Sequence, residues 1–199
     1  MGDSTTRRSA RVVTVFGSSR AQRGSEEYEA ARRLGVAIAE RGWTLCNGGH
    51  DGTMEAAAKG AKEAGGNTLG VSLALYRAAN QNVWLDQEIV AESLFARLDQ
   101  LVTLGDAFVV LRGGIGTLLE LCLAWNLVQS PEFARKPLIV VGPAWSGVID
   151  VLRASLPMHP WESAAVVTAD SVEAAVHYLE AHFAESGATD QSSSRRGLA

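Results

Sequence analysis

The segment that decides the fold is Asp106-Ala-Phe-Val-Val-Leu-Arg-Gly-Gly-Ile-Gly-Thr-Leu-Leu-Glu120. Its first part, 107–111, is a short apolar run with β-branched and aromatic residues, which is typical of a buried strand. Three glycines, Gly113, Gly114 and Gly116, interrupt the run, and the leucine-rich residues after Thr117 predict a helix to Leu127. A strand that passes through glycines into a helix is typical of a parallel α/β sheet.

The same segment is a candidate anion site. Backbone N–H groups at a helix start have no partner inside the helix, and the helix dipole favours negative charge there. Glycines let a ligand approach those groups, so residues 113–117, including Ile115, are predicted to hold a phosphate. Thr117 could cap the helix or donate to the same anion, and Glu120 would place a carboxylate near the mouth. The alternative, that the glycines serve only a tight turn, is equally compatible with the pattern.

Two further glycine-containing loops follow predicted strands. Gly17-Ser18-Ser19-Arg20 follows the apolar run 12–16, and Gly48-Gly49 follows the run 43–46 and precedes a helix that begins at Met54. Ser18 and Ser19 are candidate ligand contacts, and Arg20 and Met54 are possible ones, whereas a single loop histidine such as His50 is more often structural or solvated. Helices alternate with strands along the chain. This pattern predicts a doubly wound parallel α/β sheet of about six to seven strands with helices on both faces. The carboxyl ends of its strands would gather the three loops at one edge.

Length and composition limit the classes of protein to which this chain can belong. The 199 residues, 47% hydrophobic and 20% charged, predict one domain over 12–184, with a disordered arm at 1–11 and a disordered tail at 185–199. The net charge of −4 disfavours a nucleic-acid partner. No apolar stretch reaches transmembrane length, so no membrane association is expected. Two cysteines, Cys46 and Cys122, are predicted to be buried thiols in a reducing cytoplasm.

Two helices carry the remaining predictions. On the helix from about Ser93 to Leu104, four apolar residues form a stripe and Arg97 is expected to lie off it: Leu94, Leu98, Leu101 and Val102. The helix over 117–130 is apolar nearly all round, although a surface helix needs only one apolar face. We therefore expect a homodimer that forms through this helix.

Several motifs resemble the LOG ("lonely guy") family, which was long labelled as lysine decarboxylases. The family fingerprint is Pro-Gly-Gly-x-Gly-Thr-x-x-Glu, and residues 112–120 read Arg-Gly-Gly-Ile-Gly-Thr-Leu-Leu-Glu. Matching segments also occur at 15–19, 48–54 and 167–173, so the resemblance spans about Val12 to Phe183. It implies a Rossmann-like fold and a phosphoribohydrolase that cleaves cytokinin-type or other AMP-like nucleoside 5'-monophosphates. It also implies catalytic roles for Arg97 and Glu120, with no metal or other cofactor.

The chain departs from the family pattern at several positions near the expected site. The histidine that normally precedes the family arginine is absent from 94–96, and Asn47 and Glu55 replace glycines at the ends of the second loop. Arg112 replaces the proline of the fingerprint, Leu98 replaces the lysine that usually follows the family arginine, and Leu119 replaces a frequent glutamate. Arg112 could turn inward and bind phosphate, or it could point to solvent. Two functions therefore stay open at this stage: a nucleoside monophosphate hydrolase, and a non-catalytic carrier or sensor of a nucleotide or the molybdenum cofactor.

Overall fold

The computed structural model describes residues 10–76, 82–133 and 136–196. They form one sheet of seven strands in the order β4-β3-β2-β1-β5-β6-β7, and every neighbouring pair is parallel. The strands are β1 (Val12–Phe16), β2 (Thr44–Asn47), β3 (Asn67–Leu73), β4 (Gln87–Ala91), β5 (Ala107–Val110), β6 (Leu138–Val141) and β7 (Val166–Ala169). The predicted doubly wound, Rossmann-like α/β fold is confirmed.

Seven α-helices pack on the two faces of this sheet. They are α1 (Glu26–Glu40), α2 (Thr53–Glu63), α3 (Leu94–Leu104), α4 (Ile115–Leu127), α5 (Pro143–Ser155), α6 (Pro160–Ala164) and α7 (Val172–Arg196). Ser25 and Ser93 cap α1 and α3 as their positions predict, each accepting a hydrogen bond from a backbone N–H three residues later.

Two apolar cores lie on opposite faces of the sheet. Helices α1, α2 and α7 cover one face, and α3, α4 and α5 cover the other. Side chains of β5 alternate between them: Ala107 and Val109 face the first core, and Phe108 and Val110 face the second. This alternation follows from the two-residue repeat of a strand and buries the central strands on both faces.

The chain reverses its winding direction between β1 and β5. β1 pairs with β2 on one side and with β5 on the other, so the loops that follow β1 and β5 separate above the sheet. Such a switch point leaves a crevice at the carboxyl ends of the strands. Among the described residues, no helix is long and apolar enough to cross a membrane.

Several predicted boundaries differ from the structure. Helix α4 begins at Ile115 rather than after Thr117. Helix α7 continues to Arg196 and so extends into the segment 185–199, for which a tail was predicted. The predicted N-terminal arm lies largely outside the described residues. Cys46 is buried as expected, whereas Cys122 is exposed because it lies on the outer side of α4.

Candidate active site at the carboxyl edge of the sheet

A cleft of about 690 Å³ opens at the switch point. The loops after β1 and β2, the first turn of α3 and the start of α4 surround it. Most of the predicted site residues line this cleft: Gly17, Ser18, Ser19, Arg20, Met54, Arg97, Gly114, Ile115, Gly116, Thr117 and Glu120. Four segments that are distant in sequence therefore meet at one place, at the edge of the sheet where the loops were predicted to converge.

The start of α4 forms one end of the cleft. Gly114 is the N-cap residue, and no side chain caps the N–H groups that follow it. A Cβ added at Gly114 or at Gly116 would meet no atom within 4 Å, so packing inside the protein does not require glycine at either position. The uncapped N–H groups and the dipole of α4 together make this end suitable for an anion.

Gly113 and Thr117 have a structural function at the same turn. A Cβ at Gly113 would lie 2.1 Å from Oγ1 of Thr117, so a side chain there would displace the threonine. The Thr117 hydroxyl donates a hydrogen bond to the carbonyl of Gly17 over 3.0 Å. The expectation that Thr117 caps the helix is therefore wrong, because Gly114 is the N-cap residue and the Thr117 hydroxyl joins the β5–α4 turn to the loop after β1.

The loop after β1 is held in place by its own backbone and by α2. The N–H of Arg20 donates to Oγ of Ser18 over 3.0 Å, and the N–H of Thr53 donates to the Ser18 carbonyl over 2.9 Å. A Cβ at Gly52 would lie 2.3 Å from that carbonyl oxygen, and its φ of +68° also favours glycine. Arg20 makes no ion pair with any described residue. Its guanidinium is therefore available to a ligand in the cleft.

A buried ion pair forms the floor of the cleft. Nη1 of Arg97 donates to Oε1 of Glu120 over 3.1 Å, and each side chain is only 10% exposed. Nε of Arg97 donates to the Val71 carbonyl over 2.9 Å, and Nη2 donates to the Gly48 carbonyl over 3.4 Å. The prediction that Arg97 lies off the buried apolar stripe of α3 is wrong. Arg97 is buried, whereas Leu94, which was predicted to belong to the stripe, is 44% exposed. The guanidinium is instead satisfied by the carboxylate and by two carbonyl groups.

Burial governs the ionisation of the carboxylate. Removal from water raises the pKa of Glu120, and the charge and hydrogen bond of Arg97 partly oppose that rise. The result is a carboxyl group that faces the cleft with a pKa above the ordinary value for glutamate. Perturbed carboxyl groups in clefts are common at catalytic positions.

The cleft also includes residues that sequence reasoning did not select. They are His50 and Asp51 from the loop after β2, together with Leu73 and Leu94. Burial and the charge of Arg97 lower the pKa of His50, while Asp51 and Glu88 oppose the change. Burial thus favours the neutral form of the His50 imidazole. The sequence contained one signal for His50, because the loop that carries it was predicted to reach the cleft.

Four predicted ligand contacts do not line this cleft. Gly48 lies against Arg97, where a Cβ would be 2.0 Å from Nη2, so the absence of a side chain admits the guanidinium. Gly49 has a φ of +74° and donates its N–H to Oδ1 of Asn47. Arg112 and Gly113 lie in an adjacent cleft, where Nη1 of Arg112 donates to Oε1 of Glu27 over 2.7 Å.

Comparison with known proteins agrees with this arrangement. The SLOG cluster4 family model matches residues 10–176, which is most of the chain. The chain belongs to the SLOG cluster4 family. This SLOG cluster4 protein is 41% identical over 135 residues to a cytokinin riboside 5'-monophosphate phosphoribohydrolase of Mycobacterium tuberculosis, covering 66% of the chain and 70% of that relative. The resemblance to the LOG family is therefore confirmed.

Two other similarities bear on function. The SLOG cluster4 protein is 28% identical over 127 residues to a pyrimidine/purine nucleotide 5'-monophosphate nucleosidase of Escherichia coli, covering 59% of the chain and 28% of that longer protein. Its fold is similar to the molybdenum cofactor binding protein of Rippkaea orientalis, with a TM-score of 0.70, 26% identity, and coverage of 86% and 96% of the two chains. The relatives thus include both hydrolases and a cofactor-binding protein.

Proposed function

We propose that this protein is a phosphoribohydrolase. It cleaves the N-glycosidic bond of an AMP-like nucleoside 5'-monophosphate, of the cytokinin type or a related one, and releases the free base and ribose 5-phosphate. The observation that carries this proposal is the buried Arg97–Glu120 pair, which meets the same cleft as the uncapped start of α4. The names of the relatives at 41% and 28% identity support it.

The substrate phosphate binds at the start of α4. The N–H groups after Gly114 donate to the phosphate oxygens, and Ser18, Ser19 and Arg20 approach from the loop after β1. A phosphate fixed at one end of the cleft holds the ribose over the ion pair. This positioning lowers the entropic part of the barrier.

Glu120 acts on the sugar. When the bond from C1' to the base nitrogen breaks, positive charge develops on C1' and on the ring oxygen, as in glycoside hydrolysis. The Glu120 carboxylate stabilises that charge and orients a water molecule. The water oxygen bonds to C1', and its proton neutralises the departing base. The products are therefore the base and ribose 5-phosphate.

Arg97 holds the carboxylate in place. Its hydrogen bonds to Val71 and Gly48 fix the guanidinium, and the guanidinium fixes one oxygen of Glu120. Its positive charge also keeps part of the Glu120 population ionised although burial favours the neutral acid. Leu98 replaces the lysine that usually follows the family arginine. This replacement does not affect the function of Arg97, because Leu98 does not line the cleft.

The base occupies the opposite end of the cleft. Met54, Leu73 and Leu94 are the apolar side chains that the cleft offers to a base, and His50 and Asp51 add polar groups. A planar base with polar edges is compatible with such a surface. The AMP-like class is proposed on this ground.

A cofactor carrier is the second candidate, because the fold of the Rippkaea orientalis molybdenum cofactor binding protein is similar over most of both chains. A phosphate-bearing cofactor would bind to the same start of α4 without turnover. Under this alternative, molybdenum cofactor raises the melting temperature of the protein, and no nucleotide is consumed.

We also propose that the protein is a homodimer that forms through the 117–130 helix. Apolar side chains are exposed on the first turns of α3 and α4: Leu94 at 44%, Phe95 at 83%, Ile115 at 82% and Leu119 at 43%. Such a patch is typical of a contact between subunits.

Two cysteines without a disulfide fit a reducing compartment, and we place the protein in the cytoplasm.

Incubation with AMP and with an N6-substituted AMP tests the hydrolase directly. Chromatography is expected to show the free base with wild-type protein, no base with Glu120→Ala, and an unchanged rate with Arg33→Ala. Arg33 forms an exposed pair with Glu173 outside the cleft, so this variant controls for loss of an ion pair. Binding of AMP without base release over a range of pH would refute the hydrolase and favour the carrier.

A further inference from the structure

A second cleft of about 430 Å³ adjoins the candidate active site. Ser18, Arg20 and Gly114 line both clefts, so the two spaces meet across the residues that are proposed to hold the phosphate. The second cleft continues toward Arg112, Gly113 and the first turn of α1. A ligand bound at the start of α4 can therefore extend from the first cleft into the second.

Positive charge predominates in the second cleft. Arg20 and Arg112 line it, and Glu27 is the one carboxylate among its lining residues within the described chain. Arg112 uses Nη1 for Glu27, which leaves other guanidinium N–H groups for a ligand, and its side chain is 68% exposed. Arg20 makes no ion pair with a described residue. A guanidinium with free N–H groups is well suited to a phosphate.

The first cleft alone does not account for Arg112. Its side chain does not line that cleft, and the exposed pair with Glu27 contributes little to the stability of the fold. The LOG fingerprint has a proline at this position, which offers neither charge nor an N–H group. An arginine here therefore adds an anion-binding group to the second cleft without adding one to the first.

We propose that the second cleft binds a second phosphate group of the ligand. The first phosphate binds at the start of α4, and the next one lies between Arg20 and Arg112. The ligand class is then a nucleoside 5'-diphosphate or an ester of one. This inference rests on the proposed function, because it assumes that the first phosphate and the base occupy the first cleft.

Calorimetric titration with AMP and with ADP at one fixed ionic strength tests the inference. Wild-type protein is expected to bind ADP about tenfold more tightly than AMP, because a second phosphate adds charge-assisted hydrogen bonds. Arg112→Ala is expected to remove this preference and to leave AMP affinity unchanged. Arg33→Ala, which removes an arginine of an exposed pair outside both clefts, is expected to keep the preference. Glu27→Gln is expected to increase it, since Arg112 loses its competing carboxylate.

The outcomes separate this inference from the hydrolase. Equal affinity of wild-type protein for AMP and ADP, or an equal loss of both in Arg112→Ala, would overturn the second phosphate site even if AMP is hydrolysed. A preference for ADP that depends on Arg112 would support the site even if neither nucleotide is hydrolysed. Chromatography of each sample after titration shows whether the nucleotide was consumed.

Discussion

Replacement of Gly116 by alanine tests whether glycine is required at this position for ligand binding or for the stability of the fold. Gly116 is the second residue of α4 and lines the first cleft. An added Cβ would meet no atom within 4 Å, so the apo protein has room for it. The methyl group would instead occupy space through which a phosphate oxygen approaches the N–H groups at the helix start.

The two effects have opposite signs. Alanine in place of a helical glycine stabilises the fold by about 0.5–1 kcal/mol, since it restricts the unfolded chain. For a domain of this size such a gain raises Tm by about 1–4 °C. Loss of one hydrogen bond to a charged phosphate costs about 1.5–3 kcal/mol. The affinity for AMP is therefore expected to fall by about 10-fold to 150-fold.

Differential scanning calorimetry of the apo protein and calorimetric titration with AMP measure both effects. Gly147→Ala is the matched control, because Gly147 is an exposed residue of α5 whose added Cβ would also meet no atom within 4 Å. That variant is expected to gain stability and to keep full affinity. If Gly116→Ala binds AMP as wild-type protein does, the start of α4 does not hold the phosphate. If its Tm falls, the glycine serves the fold.

Three further predictions follow from the ion pair and the exposed patch. Gly48→Ala is expected to displace the Arg97 guanidinium, which lies 2.0 Å from the added Cβ, and to lower kcat/KM by about 100-fold; an unchanged value would contradict the role of Arg97. Because burial raises the pKa of Glu120, activity is expected to decline as pH falls through that raised value, above the ordinary 4.5 of glutamate, and a pH–rate profile without this decline would contradict the role of the Glu120 carboxylate. Leu119→Glu, on the 117–130 helix, is expected to convert the proposed dimer to a monomer in sedimentation equilibrium, whereas wild-type protein that sediments as a monomer would exclude that dimer.

The fold could be predicted from the sequence because its signals are local. Short apolar runs mark most of the strands, and Ser25 and Ser93 mark the starts of α1 and α3. The start of α4 was misplaced because Thr117 has the features of an N-cap. The structure uses Gly114 instead, which no side-chain pattern reveals.

The site was partly predictable for the same reason. Convergence of the loops at the carboxyl edge follows from parallel topology, so Ser18, Arg20 and Glu120 were placed correctly in one cleft. Which neighbours complete the cleft depends on tertiary packing. Burial of Arg97 against two carbonyl groups and the contact of Arg112 with Glu27 across 85 positions of sequence have no local signal.

Phosphorus NMR of AMP mixed with wild-type protein follows the fate of the phosphate and so distinguishes the possible reactions. The AMP resonance is expected to be replaced by that of ribose 5-phosphate as free adenine accumulates in equal amount, and Glu120→Gln is expected to abolish both changes. Release of inorganic phosphate with adenosine, or an AMP resonance that persists although AMP is bound, would contradict the proposed hydrolase.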